Sequence, residues 1–134
     1  MSKITGVHHI AIRTPAFDRS LGFYRDTLGL SLKATWTTKQ GGRAAMIEIT
    51  PGSYMEIFER DVAPYTGEPA LFHFCLRTDD VEGLTEHVRA AGFDVTMEPV
   101  TVPIETTIGT VTLKLSFVAG PDGESIELME SDKF

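Results

Sequence analysis

The chain has 134 residues, of which 42% are hydrophobic and 23% are charged. This length suits one compact domain with a hydrophobic core, and the composition excludes a disordered chain. Twelve basic against nineteen acidic side chains give a net charge of −7, which argues against nucleic acid and anionic membranes as partners because both favour a positive surface.

The first half of the sequence predicts one strand, one helix and three further strands. Alternating residues over 6–13 indicate a strand, and apolar residues spaced four, three and four apart over 17–28 indicate one face of a helix. Gly29 is a candidate for the end of that helix. The next strands are predicted near 31–38, 43–50 and 54–60.

The second half predicts the same order of elements. Residues 71–77 are typical of a strand, and the run Thr78-Asp79-Asp80 predicts the start of a helix that ends at Gly92. The extra residues of this half are assigned to a longer loop around 99–109 and a slightly longer turn at 121–123. The remaining strands are predicted near 93–98, 110–119 and 125–130.

Histidine, arginine and glutamate residues of the first half also recur at equivalent positions in the second half. His9 and Arg13 recur 64 residues later, and Glu56 recurs 71 residues later. Their counterparts are His73, Arg77 and Glu127. The sequence therefore predicts an α+β fold made of two βαβββ repeats, which form curved mixed sheets around a metal cleft. Within a single domain over 1–134, the first repeat, the linker and the second repeat are expected at about 5–60, 61–70 and 71–131.

The repeated His and Glu residues predict a metal site. Alternate side chains of a strand share a face, so each repeat presents one His and one Glu opposite its apolar, helix-facing residues. Burying two carboxylates together is unfavourable unless a cation compensates their charge. Two nitrogen and two oxygen donors suit one divalent ion of Zn, Ni, Co, Mn or Fe. The predicted ligands are His9, Glu56, His73 and Glu127.

Other polar residues have less specific interpretations. Arg13 and Arg77 either pair with acidic neighbours or hold an anionic substrate. Cys75 is interpreted as a small hydrophobic residue in or beside the cleft. His8 is expected on the opposite face at the edge of the core, and His87 on the solvated face of the second helix.

The expected compartment is the cytoplasm. No apolar run reaches the roughly 18 residues of a membrane span, and residues 1–6 lack the apolar stretch of a signal peptide. A single cysteine excludes an internal disulfide and suits a reducing compartment.

Several blocks of this sequence resemble, in order, the vicinal oxygen chelate superfamily. That superfamily includes glyoxalase I, methylmalonyl-CoA epimerase, extradiol dioxygenases, and the fosfomycin and bleomycin resistance proteins. The matching blocks lie at 8–12, 23–30, 54–58, 72–74 and 121–128. The resemblance implies a homodimer and a small-molecule carbonyl substrate.

The His–Glu–His–Glu set is similar to that of glyoxalase I, which isomerises the hemithioacetal of methylglyoxal and glutathione. It implies a divalent-metal-dependent lyase or isomerase that transfers a proton alpha to a carbonyl through a metal-bound enediolate. Glu127 matches the base, and Glu56 is the second catalytic carboxylate. Arg13 matches an arginine that contacts glutathione; Arg77 and Phe58 are the other predicted substrate contacts.

One block departs from the bacterial glyoxalases. Where they carry an aromatic-Asn-x-Gly run that helps to hold glutathione, this chain has Phe58-Glu59-Arg60-Asp61. The substrate is therefore either a glutathione adduct, another small carbonyl compound or a thioester. Three other functions stay open: an epimerase, an extradiol dioxygenase, and a non-catalytic binding protein whose cleft is lined by aromatic side chains. Whether one chain or two subunits complete the site is also open.

Overall fold

A computed structural model describes residues 3–63, 67 and 69–134. The chain divides into two compact units, 1–63 and 64–134. Part of the predicted linker, at 64–66 and 68, lies outside the described residues. None of the helices in the described ranges has the length and apolar character to cross a membrane.

The first unit is a four-stranded sheet with one helical segment. The sheet order is β1-β4-β3-β2, in which β1 and β4 are parallel and the other neighbours antiparallel. The helix α1, Phe17–Gly22, continues as a π-helical turn, Phe23–Thr27. The strands are β1 His9–Thr14, β2 Ser31–Thr37, β3 Arg43–Thr50 and β4 Ser53–Glu59.

The second unit has the same topology. Its sheet order is β5-β8-β7-β6, again with one parallel pair, β5 and β8. Its helix is α2, Val81–Ala90. Its strands are β5 Phe74–Arg77, β6 Val95–Thr106, β7 Gly109–Ala119 and β8 Ser125–Ser131. The predicted α+β fold of two βαβββ repeats with mixed sheets is confirmed.

Each unit has its own core between helix and sheet. In the first unit, α1 buries Phe17 and Leu21 and contacts β4, whose Met55 and Ile57 are fully buried. In the second unit, α2 buries Val81 and Val88 and contacts β7 and β8, where Val118, Ile126 and Leu128 are fully buried. This burial of apolar faces fixes which side of each sheet points away from the helix.

Both helices begin after a threonine that caps the preceding turn. Thr14 Oγ1 accepts a hydrogen bond from the Ala16 backbone N–H at 3.0 Å, and Thr78 Oγ1 accepts one from Asp80 at 3.1 Å. The Asp80 carboxylate then accepts from the Gly83 N–H at 2.9 Å as the N-cap of α2. The predicted helix start at 78–80 is thereby confirmed.

The predicted loop around 99–109 is wrong. β6 continues through Pro99 and Pro103 to Thr106, and β7 begins at Gly109. Proline lacks a backbone N–H and is tolerated on an edge strand, which β6 is in the order β5-β8-β7-β6. The register shifts between Met97 and Val100, so the strand absorbs Pro99 as an irregularity. The extra residues of the second half therefore lengthen a hairpin.

Candidate metal centre

The first half-site lies on the face of the first sheet that points away from α1. Along β1 the side chains alternate, with Ile10 and Ile12 more buried than their neighbours and His9 more exposed. Glu56 lies in β4 between Met55 and Ile57, both fully buried on the opposite face. The predicted alternation of faces is confirmed for this unit.

His9 and Glu56 are in direct contact. Nε2 of His9 lies 2.7 Å from Oε1 of Glu56. The Glu56 side chain is only 12% exposed, whereas that of His9 is 41% exposed. A carboxylate that is largely withdrawn from water is therefore held against an imidazole nitrogen at the edge of the sheet.

The second half-site repeats this contact in a more enclosed setting. Nε2 of His73 lies 3.2 Å from Oε2 of Glu127, and the two side chains are 27% and 13% exposed. The His73 ring packs edge-on against Phe72 and Phe117, with ring centroids 4.6 and 5.4 Å apart. Nδ1 of His73 is buried and has no hydrogen-bond partner among the described residues.

The donor atoms of each pair are those that a divalent ion prefers. Imidazole nitrogen and carboxylate oxygen are both common ligands of zinc and of the other divalent transition metals. The two donor atoms lie 2.7 Å apart in the first pair and 3.2 Å apart in the second, the range of a direct hydrogen bond. The described part of the chain contains no group of three or more His, Cys, Asp or Glu side chains placed to hold an ion. Each pair thus has suitable donor atoms but supplies only two of them.

A groove beside the first half-site contains two of the predicted substrate contacts. It has a volume of about 400 Å³ and is lined by Ala11, Ile12, Arg13, Phe58 and Arg60. The Arg60 guanidinium carbon lies 5.8 Å from the centroid of the Phe58 ring. The sequence analysis assigned no role to Arg60, although it directly follows the Phe58-Glu59 pair at the end of β4. Two guanidinium groups beside an aromatic ring suit an anionic or polar ligand.

The remaining predicted contact, Arg77, lies in the second unit. Its Nη2 donates a hydrogen bond to the backbone carbonyl of Phe134 at 3.5 Å, and the residue is exposed. It does not line the groove beside Phe58. Of the three predicted substrate contacts, the structure therefore brings Arg13 and Phe58 together.

Cys75 lies opposite Glu127 in the pairing of β5 with β8. Burial raises the pKa of the Cys75 thiol to about 11, and the nearby negative charge of Glu127 adds to this effect. The thiolate is the nucleophilic form, and a raised pKa leaves little of it near neutral pH. The Cys75 side chain is nevertheless exposed, unlike the buried small hydrophobic residue that the sequence suggested.

The prediction for His8 is wrong. His8 precedes β1, is exposed, and turns its ring toward His9, so that the two Nδ1 atoms lie 2.9 Å apart. It does not lie on the opposite face at the edge of the core, because the strand alternation begins only at His9. His87 is exposed on α2, as predicted.

Comparison with known proteins identifies the family. The family model of the Glyoxalase/Bleomycin resistance protein/Dioxygenase superfamily matches residues 6–128. A lactoylglutathione lyase from Haemophilus influenzae is 31% identical, with 92% of this chain and 90% of that protein covered. A 2-epi-5-epi-valiolone epimerase from an Actinomyces species is 26% identical, with 92% and 78% covered. A glyoxalase I mutant from Zea mays superposes with a TM-score of 0.74 and 25% identity, covering 92% of this chain and 43% of that one. The chain belongs to the Glyoxalase/Bleomycin resistance protein/Dioxygenase superfamily.

Proposed function

We propose that this protein is a divalent-metal-dependent lyase or isomerase of the glyoxalase I type, which transfers a proton alpha to the carbonyl of a small substrate. The observation that carries the proposal is the pair of repeat-equivalent His–Glu contacts at 2.7 and 3.2 Å. The similarity to a lactoylglutathione lyase over nearly the full length of both chains supports the reaction type.

The four residues His9, Glu56, His73 and Glu127 would hold one Zn, Ni, Co, Mn or Fe ion, with two nitrogen and two oxygen donors. Four ligands require two His–Glu pairs, and in this scheme one pair comes from each half of the chain. A homodimer is proposed as the active assembly. When bound, the ion would supply Lewis-acid stabilisation of the negative charge that develops on the substrate carbonyl oxygen.

The carboxylates are proposed to move the proton. Glu127 would accept it from the carbon next to the carbonyl, and Glu56 would return a proton to the neighbouring carbon. Both side chains are at most 13% exposed, so few water molecules compete for them. His9 and His73 have no proton-transfer role in this scheme and act as ligands.

The groove beside the first half-site favours a substrate with an anionic or polar group. Arg13 and Arg60 would bind that group, and the Phe58 ring would pack against its carbon skeleton. Glu59 is already bonded to Arg43, whose Nη2 donates to Oε1 at 2.9 Å. The Phe58-Glu59-Arg60 run therefore offers one arginine and one aromatic ring to a ligand. The proposed substrate is a glutathione adduct, another small carbonyl compound or a thioester.

A second candidate is a metal-independent binding protein for a small aromatic molecule. It is favoured by Trp36 and Phe58, whose rings meet edge-on at 6.2 Å, with Trp36 38% exposed. This alternative predicts ligand binding that a chelator leaves unchanged, together with no proton exchange. The proposed enzyme predicts that the chelator abolishes exchange.

The test is solvent-deuterium incorporation into the methylglyoxal–glutathione hemithioacetal and into small hydroxy-carbonyl compounds, in wild type and Glu127→Gln. The variant is expected to keep its metal and lose exchange by at least about 100-fold, the range of a general base. Glu130→Gln is the matched control, because Glu130 lies on the same strand and its Oε2 accepts from the Val81 N–H at 3.2 Å. Unchanged exchange in Glu127→Gln would contradict the assigned base.

A further inference from the structure

We propose that His8 is a positioning residue that holds the His9 imidazole in the orientation and tautomer of a metal ligand. The inference rests on the proposed function, since it presupposes that His9 binds a metal through Nε2. His8 is not one of the four proposed ligands, so the ligand set by itself gives it no role.

The His8 ring is fixed beside His9 by several contacts. The two rings meet edge-on, with centroids 5.2 Å apart and an interplanar angle of 86°. The His8 ring also packs against Tyr54 at 5.1 Å. The Tyr54 N–H donates a hydrogen bond to the His8 carbonyl at 2.8 Å. Both the backbone and the side chain of His8 are therefore anchored on β4, the strand that carries Glu56.

His9 has a partner at each ring nitrogen. Nε2 lies 2.7 Å from Glu56, and Nδ1 lies 2.9 Å from Nδ1 of His8. When Nε2 donates its proton to Glu56, Nδ1 is an acceptor and His8 donates. When the Nε2 lone pair binds a metal, Nδ1 carries the proton and His8 accepts. An imidazole at position 8 serves both states, whereas a lysine only donates and a carboxylate only accepts.

The second half supplies an internal comparison. The residue equivalent to His8 is Phe72, 64 positions later, and it keeps nearly the same geometry toward His73: 4.6 Å between centroids at 85°. The phenyl ring has no polar atom, and Nδ1 of His73 is the buried atom without a described partner. The residue that precedes each ligand therefore differs in its effect. His8 gives His9 a second polar partner, whereas Phe72 leaves His73 with Glu127 alone.

The test compares metal affinity in four variants, with Co²⁺ titrated against a chromophoric chelator. His8→Phe copies the second half and keeps the ring. His8→Asn keeps a polar atom at the place of Nδ1, and Phe72→His copies the first half. His87→Phe removes an exposed imidazole from α2 as a control. Visible spectra of the cobalt-loaded proteins and thermal unfolding of the metal-free proteins accompany each titration.

His8→Phe is expected to weaken Co²⁺ binding about 10- to 100-fold, the range for loss of a hydrogen-bond partner behind a ligand. It should also shift the cobalt spectrum, with metal-free unfolding unchanged. His8→Asn should restore affinity to within a few-fold of wild type, Phe72→His should tighten binding, and His87→Phe should match wild type.

Unchanged affinity and spectrum in His8→Phe would overturn the positioning role while leaving the ligand set intact. An equal loss of Co²⁺ affinity in His8→Phe and His8→Asn would also overturn it. The polar atom that asparagine keeps would then make no difference, and only the shape of the His8 side chain would matter. A His9→Ala variant separates the two hypotheses. If wild type and His9→Ala bind cobalt equally, or neither binds, the proposed function and the role of His8 both fail.

Discussion

The two halves of this molecule hold the same pair of side chains in different surroundings. His9 is 41% exposed and bonded at both ring nitrogens, whereas His73 is 27% exposed and held by aromatic rings. The groove with Arg13 and Phe58 belongs to the first half, and Arg77 in the second half contacts the Phe134 carbonyl instead. The pattern that repeats is the His–Glu contact, and the parts that differ are those that would orient a ligand or bind a substrate.

The largest effect is expected in the cores, where the halves are most alike. Ile57 and Leu128 occupy repeat-equivalent positions and are both fully buried. Ile57→Ala and Leu128→Ala should each lower the free energy of unfolding by about 2–5 kcal/mol, because each leaves a cavity. Urea unfolding followed by circular dichroism measures both, with Ile57→Val as a milder control. A loss below about 1 kcal/mol in only one half would show that the packing is not equivalent.

A smaller effect is expected on KM, which should differ between variants of Arg13 and Arg77. Arg13→Ala removes a guanidinium from the groove and is expected to raise KM roughly 10- to 150-fold, since a hydrogen bond to a charged group contributes about 1.5–3 kcal/mol. Arg77→Ala should change KM less, because Arg77 does not line that groove. Steady-state kinetics on a competent anionic substrate would show this order. A larger increase of KM in Arg77→Ala than in Arg13→Ala would indicate that the substrate binds to the second half.

The smallest effect concerns acid stability of the first half. Hydrogen bonds from the Arg43 side chain and backbone lower the pKa of Glu59 to about 2 from an ordinary 4.5. A folded-state pKa below the unfolded value stabilises the fold above about pH 4.5, and this contribution is lost as the pH falls toward 2. Because the contact is open to solvent, a modest effect is expected.

Acid titration of wild type, Glu59→Gln and Arg43→Met tests this contribution. Both variants should lose stability less steeply than wild type between pH 4.5 and 2, the two pKa values of Glu59. The double variant should resemble Arg43→Met, which removes the Glu59 contact together with the ion pair to Asp18 and the packing on the Phe17 ring. Parallel acid curves for wild type and Glu59→Gln would rule out this contact as a source of pH dependence.

The sequence predicted the parts of the fold that depend on local periodicity. The alternation of side chains along a strand placed Glu56 between two buried residues, because this alternation is independent of distant contacts. The repeat spacing then identified its counterpart Glu127 in β8. The edge position of β6, which allows Pro99 and Pro103 in a strand, is a property of the whole sheet and could not be seen locally.

The candidate site, like the fold, could be predicted only in part from the sequence. The proposed ligand set followed from the repeat, whereas the ring of His8 was misplaced because the strand begins at His9, three residues later than predicted. The groove partner Arg60 and the Arg43–Glu59 contact depend on strands that meet only in three dimensions. Side-chain directions at the ends of strands are therefore the least accessible part from sequence alone.

The most direct test of the proposed metal site is the metal content of the protein, purified without a histidine tag and measured by plasma mass spectrometry. The chain should carry about one divalent ion, and both His9→Ala and His73→Ala should lose it, since each removes one of four ligands. His87→Ala should retain it. A protein that neither carries nor takes up metal, or that keeps full metal content in either ligand variant, would contradict a site built from both halves.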